Sequence, residues 1–153
     1  MQWLEHRIPP PLIGALAGLA MWLLAPVGPA MPLAPTTRLV LAALLVAASL
    51  SFDLLGLLAF RASRTTINPL APQRASVLVT GGVYRITRNP MYVGLCGLLL
   101  AWAVHLGSLS ALIGPAACVW YITRFQIVPE ERALRHLFGE EYARYTERVR
   151  RWL

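Results

Sequence analysis

Residues 8–37 carry no charged side chain, and within them residues 12–24 form an unbroken apolar run of helix-forming type. Pro26, Pro29, Pro32 and Pro35 break the segment that follows. Crossing a bilayer takes roughly 20 apolar residues. The segment reaches that length if its helix starts near Pro9, and proline is well tolerated at a helix start. A second apolar run covers residues 39–60, interrupted only by Asp53 and closed by Arg61 and Arg64. Residues 89–123 are again without charge and too long for one helix; His105, Leu106, Gly107 and Ser108 make a tight turn between two antiparallel spans. The pattern predicts spans at 9–25, 39–60, 90–106 and 109–127, with Gly114 and Pro115 able to kink the last. A polar connection, 61–89, separates the second span from the third. In the tail, 129–153, Leu134, Leu137, Phe138, Tyr142, Tyr145, Val149 and Trp152 recur at three- and four-residue spacing among charges. That spacing predicts an amphipathic helix at the membrane surface, interrupted at Gly139, with Trp152 as an interfacial anchor. The expected fold class is an all-α integral membrane protein forming one domain, 1–153, with four transmembrane helices and a C-terminal amphipathic interfacial helix.

Composition supports lipid as the solvent. The chain has 153 residues, 57% of them hydrophobic and 14% charged, and a mean hydropathy of +0.56. A soluble domain carries roughly 25% charge. The basic excess is all arginine, 14 Arg against 7 acidic residues, for a net charge of +7. These arginines flank apolar runs, where anionic lipid headgroups are nearer partners than nucleic acid. The loop 61–88 and the tail hold almost all of them, whereas residues 26–37 and the 106–109 turn hold none. By the positive-inside rule both termini and the 61–88 loop are expected in the cytoplasm, in a bacterial inner membrane. Four spans satisfy that parity. Glu5 and the run Pro9, Pro10, Pro11 disfavour the competing reading of the first segment as a signal peptide. Cys96 and Cys118 lie in apolar runs and read as packing residues. His6, His105 and His136 are scattered, so no metal site is expected.

Two segments have more chemistry than a structural membrane protein needs. Residues 78–94 read LVTGGVYRITRNPMYVG, and Pro129, Glu130, Glu131, Arg132, Ala133 and Leu134 precede Phe138, Gly139, Glu140, Glu141, Tyr142 and Tyr145. Together they resemble the isoprenylcysteine carboxyl methyltransferases and the related phospholipid methyltransferases, over about residues 69–152. The shared pattern, LVTxGxYxxxRxPxYxG followed by EExxLxxxFGxxYxxY, is far more specific than any one motif in it. The resemblance implies an S-adenosylmethionine site at the cytoplasmic ends of the last two spans, closed by the tail. It places cofactor contacts on Ser76, Val77, Leu78, Val79, Tyr84, Asn89, Pro90, Met91, Tyr92 and Glu130. It places the acceptor side on Gln126, with Arg124 nearby. The acceptor is then a small lipophilic molecule or lipid.

The residues themselves suit that cofactor. A zwitterionic sulfonium compound asks for a carboxylate, for aromatic faces beside the cation, and for backbone groups to read adenine and ribose. Glu130, Tyr84 and Tyr92 supply the first two. Each also has a structural reading: belt aromatics for the tyrosines, a helix start for Asn89 and Pro90, and helix-dipole pairing for Glu130 and Glu131. Two departures from the family pattern matter. Asn89 stands where many members have histidine. Gln126 stands where prenylcysteine enzymes use an arginine, and glutamine cannot form the bidentate pair with a carboxylate. Arg124 lies two positions away, about 200° around a helix, and reaches the same site only if the helix breaks before Pro129. A neutral or cationic acceptor is therefore expected over a carboxylate. Asp53, an acid inside a span, is a functional candidate by default, although Arg61 or Arg64 would explain it equally well. An NADPH-dependent membrane reductase of similar helical plan and a non-enzymatic membrane protein are the alternatives. The paired acids Glu130 and Glu131 speak against a site for a 2′-phosphate.

Overall fold

A computed structural model describes residues 8–63 and 77–153. Helix α1, Pro10–Leu24, begins in the proline run and closes with a short 3₁₀ turn, Ala25–Val27. Helix α2, Pro35–Ser63, is 29 residues long and outruns its predicted span at both ends. Pro35 starts it rather than stopping it, because the first helical position needs no N–H. Helix α3, Pro90–Leu106, has the predicted bounds. It ends at Gly107, whose φ of 67° lets its N–H return to the carbonyls of Ala103 and Val104. A 3₁₀ turn, Leu109–Leu112, leads into helix α4, Ile113–Ile122. Gly114 and Pro115 fall in the first turn of α4, where the missing N–H is not required, and α4 runs on past them without a break.

The largest difference from expectation follows α4. The helix was expected to end near residue 127 and a separate tail helix to follow Pro129. Instead Thr123–Ile127 widens into a π-helical turn and continues directly into α5, Val128–Arg148. Proline inside an α-helix lacks a donor and crowds the preceding turn. The wide turn just ahead of Pro129 relieves both problems without breaking the rod. The interruption comes at Gly139, as predicted, with φ 46° and ψ −120°.

Helix α3 is the centre of the bundle, in contact with α1, α2 and α4. Its Tyr92, Cys96, Leu99 and Ala103 join Met21 of α1, Cys118 and Ile122 of α4, and Ile127 in one buried core. The outer faces of α1 and α2 are apolar and exposed, as at Leu16, Trp22, Leu44 and Leu54. Water would not tolerate so extended an apolar surface, and acyl chains do. Pro10–Val27, Pro35–Ser63 and Leu109–Arg148 are each long and apolar enough to cross a membrane, with Pro90–Leu106 a shorter apolar helix among them. At 1.5 Å per residue α3 covers about 26 Å, close to the hydrocarbon thickness. The protein is an all-α membrane protein.

Helices α2 and α3 approach closely through small residues, the usual means in lipid. A Cβ on Gly94 would strike the Asp53 carboxylate, and one on Gly97 would strike Ser49 Oγ. Asp53 therefore lies against the backbone of α3, one turn inside its start. Among the described residues no ion pair joins it to Arg61, and Arg64 lies outside them. At the opposite end of the bundle, Met31 N–H donates to the Gly107 carbonyl (2.7 Å) and Leu109 N–H to that of Pro29 (2.9 Å), tying the α1–α2 connection to the α3–α4 turn.

Candidate active site

The arginine-rich end of the bundle is built from residues 77–92 and the α5 tail. Residues 77–80 are irregular, and among the described residues the backbone groups of Leu78, Val79 and Thr80 pair with no other backbone group. Gly82 takes a φ of 59° and opens a 3₁₀ turn, Gly82–Arg85. A Cβ on Gly81 or Gly82 would meet nothing, so open space lies beside this turn. Val79, Val83 and Tyr84 pack on Phe52, Ala59 and Phe60 of α2, with the Phe60 and Tyr84 rings edge to face at 5.5 Å. Leu78 turns the other way, toward Tyr142, Tyr145 and Val149. The segment is thus a layer between the end of α2 and the tail.

The tail folds back over the start of α3. Tyr145 hydroxyl donates to the Tyr84 carbonyl at 2.7 Å. Arg88 N–H donates to the Arg150 carbonyl at 3.0 Å, and the carbonyl of Arg151 accepts from Asn89 Nδ2 (2.8 Å) and Thr87 Oγ1 (3.2 Å). Glu131 accepts two bonds from the Arg151 guanidinium, at 2.9 and 2.7 Å, and pairs with Arg88 at 3.2 Å. Trp152 Nε1 donates to Thr123 Oγ1 in the π turn at 3.2 Å. This tryptophan, expected as a surface anchor, is instead docked against the core.

Beneath that lid lies Glu130. Tyr92 hydroxyl donates to its Oε1 at 2.6 Å. Burial pushes the Glu130 carboxyl up to about 8, the neighbouring charge of Glu131 adds to this, and the Tyr92 hydrogen bond pulls it partly back. Tyr84 is close to the same carboxyl; its hydroxyl is held above its ordinary value first by burial, then by Tyr145 and Glu130. Tyr84, Tyr92 and Glu130 therefore form one cluster, with both tyrosines buried and Glu130 partly so.

The other predicted residues divide. Ser76 lies outside the described residues. Val77 is half exposed at the edge of the layer. Asn89 has its amide committed to the tail. Pro90 and Met91 pack toward Gly56 of α2 rather than toward Glu130. Gln126 is fully buried, one turn before Glu130 and thus about 6 Å deeper along the same helix. Arg124 is exposed, with its guanidinium 5.4 Å from the centre of the Phe125 ring. The helix widens instead of unwinding, so Arg124 and Gln126 do not share a face. Sequence reasoning missed the roles of Thr87, Glu131 and Arg151. The doublet Arg150–Arg151 beside a tryptophan was the available signal, and it also fits a headgroup anchor.

The model of the phospholipid methyltransferase family matches residues 37–141. The chain belongs to that family. The matched segment contains Tyr84, Tyr92, Gln126 and Glu130 and leaves out α1 and the docked Arg151. A Haemophilus influenzae protein described as uncharacterized is 46% identical over 63 residues, which is 41% of this chain and 100% of that protein. The human protein-S-isoprenylcysteine O-methyltransferase is 40% identical over 72 residues, 47% of this chain and 25% of the enzyme. The Arabidopsis thaliana protein-S-isoprenylcysteine O-methyltransferase B is 38% identical over 72 residues, 47% of this chain and 36% of the enzyme. The chain therefore spans about a quarter to a third of the named methyltransferases it resembles. No solved structure matches.

Proposed function

We propose that the protein transfers a methyl group from S-adenosylmethionine to a small lipophilic or lipid acceptor at the cytoplasmic face of the membrane. The observation that carries this reading is the partly buried Glu130 carboxyl, hydrogen-bonded to Tyr92 beside Tyr84 within the segment matched by the family. The residues fit the cofactor. Glu130 would hold its ammonium group, the two tyrosines would line the cation, and the irregular backbone at Leu78–Thr80 beside Gly81 and Gly82 would read adenine and ribose. When bound, the cofactor supplies an electrophilic methyl group. The protein's part is then positioning and exclusion of water, which the docked tail is placed to perform.

An apolar groove between α1 and α3, lined by Gly14, Gly18, Trp22, Leu95, Leu99 and Trp102, opens sideways toward lipid. We assign it to the acceptor's hydrocarbon tail, because it begins beside the head of α1, where Ile8 meets Gln126. An NADPH site would need free cations for the 2′-phosphate, whereas Arg88 and Arg151 are both paired with Glu131. Titration calorimetry with S-adenosylhomocysteine and with NADPH tests the reading. Binding of the first and not the second is expected, and the reverse overturns it. A reporter fused after Leu153 should be active in the cytoplasm; activity only on the outer side defeats the orientation.

A further inference from the structure

Arg38 is the one charged side chain between residues 8 and 52. It lies in the first turn of α2, at the end of the bundle away from Glu130. A helical side chain leans toward the start of its helix. Here that brings the guanidinium over Gly107, where a Cβ would collide with Nη1. The glycine that closes α3 with a φ of 67° thus also makes room for this cation. Yet the protein gives the cation no acceptor. Its Nε is buried without a hydrogen-bond partner, and among the described residues no hydrogen bond or ion pair engages either Nη. The Gly107 carbonyl is taken by the Met31 N–H at 2.7 Å. Asp53, the next charged residue along α2, is 15 residues on, about 22 Å along the helix.

An arginine stays charged and carries five N–H donors. The negative end of the α3 dipole favours a cation over Gly107, but a dipole does not occupy those donors. We infer that Arg38 binds a phosphate oxyanion at this end of the bundle, the headgroup of an anionic phospholipid, with two phosphate oxygens bridging Nη1 and Nη2. Leu39 and Leu41 flank Arg38 on either side around α2, and both are exposed. They suit the chains of a lipid, whereas a free phosphate has no use for them. The inference stands apart from methyl transfer. On the orientation proposed above, this end meets the outer leaflet, where residues 26–37 and 106–109 offer no other arginine. A headgroup held there would fasten the start of α2 and the end of α3 to the same leaflet.

The test is hydrogen exchange on the purified chain in a neutral detergent. It is titrated separately with dihexanoyl phosphatidylglycerol, dihexanoyl phosphatidylcholine and inorganic phosphate. The readout is the pair of amides at Thr36 and Thr37, beside Arg38, whose N–H groups have no backbone partner among the described residues. In the wild type, phosphatidylglycerol should slow their exchange. In Arg38→Gln the same slowing should need at least about tenfold more lipid, the size of losing one charge-assisted pair. Arg38→Lys keeps the charge without the planar fork and should fall between the two. S-adenosylhomocysteine affinity should be the same in all three, because Arg38 lies at the far end from Glu130. Slowing by inorganic phosphate at equal concentration would keep the oxyanion site and replace the lipid by a free ion. The inference is overturned if phosphatidylglycerol leaves these amides unchanged in the wild type, if phosphatidylcholine does as well, or if Arg38→Gln responds like the wild type. Should Arg38→Gln fail to fold, the wild type and Arg38→Lys decide between the same outcomes.

Discussion

The two ends of this molecule are held together by different physics. Within the bilayer, α1 and α2 present leucines such as Leu16 and Leu44 outward, more than half exposed, and meet α3 through glycines and apolar packing. The arginine-rich end is held by directional bonds instead. Thr87 is completely buried, and Glu131 binds two arginines that lie 43 residues before it and 20 after it. Packing between apolar helices accepts many sequences of the right volume. A buried charged network accepts few, because losing one member strands the others. Specificity should therefore concentrate at the polar end, and substitutions there should be the most damaging.

The largest effect is expected from Glu131→Ala. It leaves the mostly buried Arg88 without its carboxylate and releases Arg151, so the tail loses its anchor. Breaking a buried pair by removing one partner costs about 3–5 kcal/mol, and the partial exposure of Arg151 moves the expectation toward the low end. The measurement is thermal unfolding in detergent together with limited proteolysis, which should begin to cut after residue 139. A tail as protected as that of the wild type would show that the network does not hold it.

Next come Glu130→Ala and Tyr92→Ala, each expected to weaken S-adenosylhomocysteine binding by about 1–3 kcal/mol. If both variants fold and bind like the wild type, the cofactor does not use this cluster. The contrast between the two ends also explains what was legible in the sequence. Hydropathy located the apolar helices, and α3 came out at its predicted bounds, because an apolar run is a local property. Gly139 was legible for the same reason. The docking of Arg151 on Thr87 and Asn89 was not, since contacts 62 and 64 residues apart leave no periodicity. The π turn was hidden too: its widening reconciles Pro129 with a continuous helix, and from sequence alone that proline reads as a boundary. The cluster of Tyr84, Tyr92 and Glu130 was nameable residue by residue, but its closeness depends on how α3, α5 and the 77–85 layer pack.

A smaller and graded effect is expected with pH. The Glu130 carboxyl, raised to about 8 in the folded protein, holds a proton at pH 7 that the unfolded chain has released. Its contribution to stability is therefore complete below the unfolded value near 4.5 and is lost as pH rises through about 8. The ligand's ammonium group needs the ionised form, so S-adenosylhomocysteine should bind more tightly from pH 6 to 8 and release protons on binding. Calorimetry in buffers of different ionisation heat reads both. Affinity that is flat over this range, or proton uptake, would separate Glu130 from the ligand's ammonium group.

The smallest effect separates the groove from the surrounding lipid-facing surface. A Cβ on Gly18 would sit 3.8 Å from Leu99 Cδ2 and 4.0 Å from Trp102 Cδ1, ordinary contact distances, so a side chain can start there without displacing the helices. Gly18→Leu should then fill the groove and leave the fold intact. Leu44→Ala removes volume from an exposed face of α2 and should shift stability by less than about 0.5 kcal/mol. If the groove takes the acceptor's tail, Gly18→Leu slows methylation of a farnesyl-tailed acceptor several-fold. It should leave a short-chain acceptor and S-adenosylhomocysteine affinity unchanged, and Leu44→Ala should alter none of the three. Equal rates for long and short tails in Gly18→Leu would place the tail elsewhere along the bundle. The bilayer half would then be scaffold alone, and the arginine-rich end would have to select the acceptor without help from its tail.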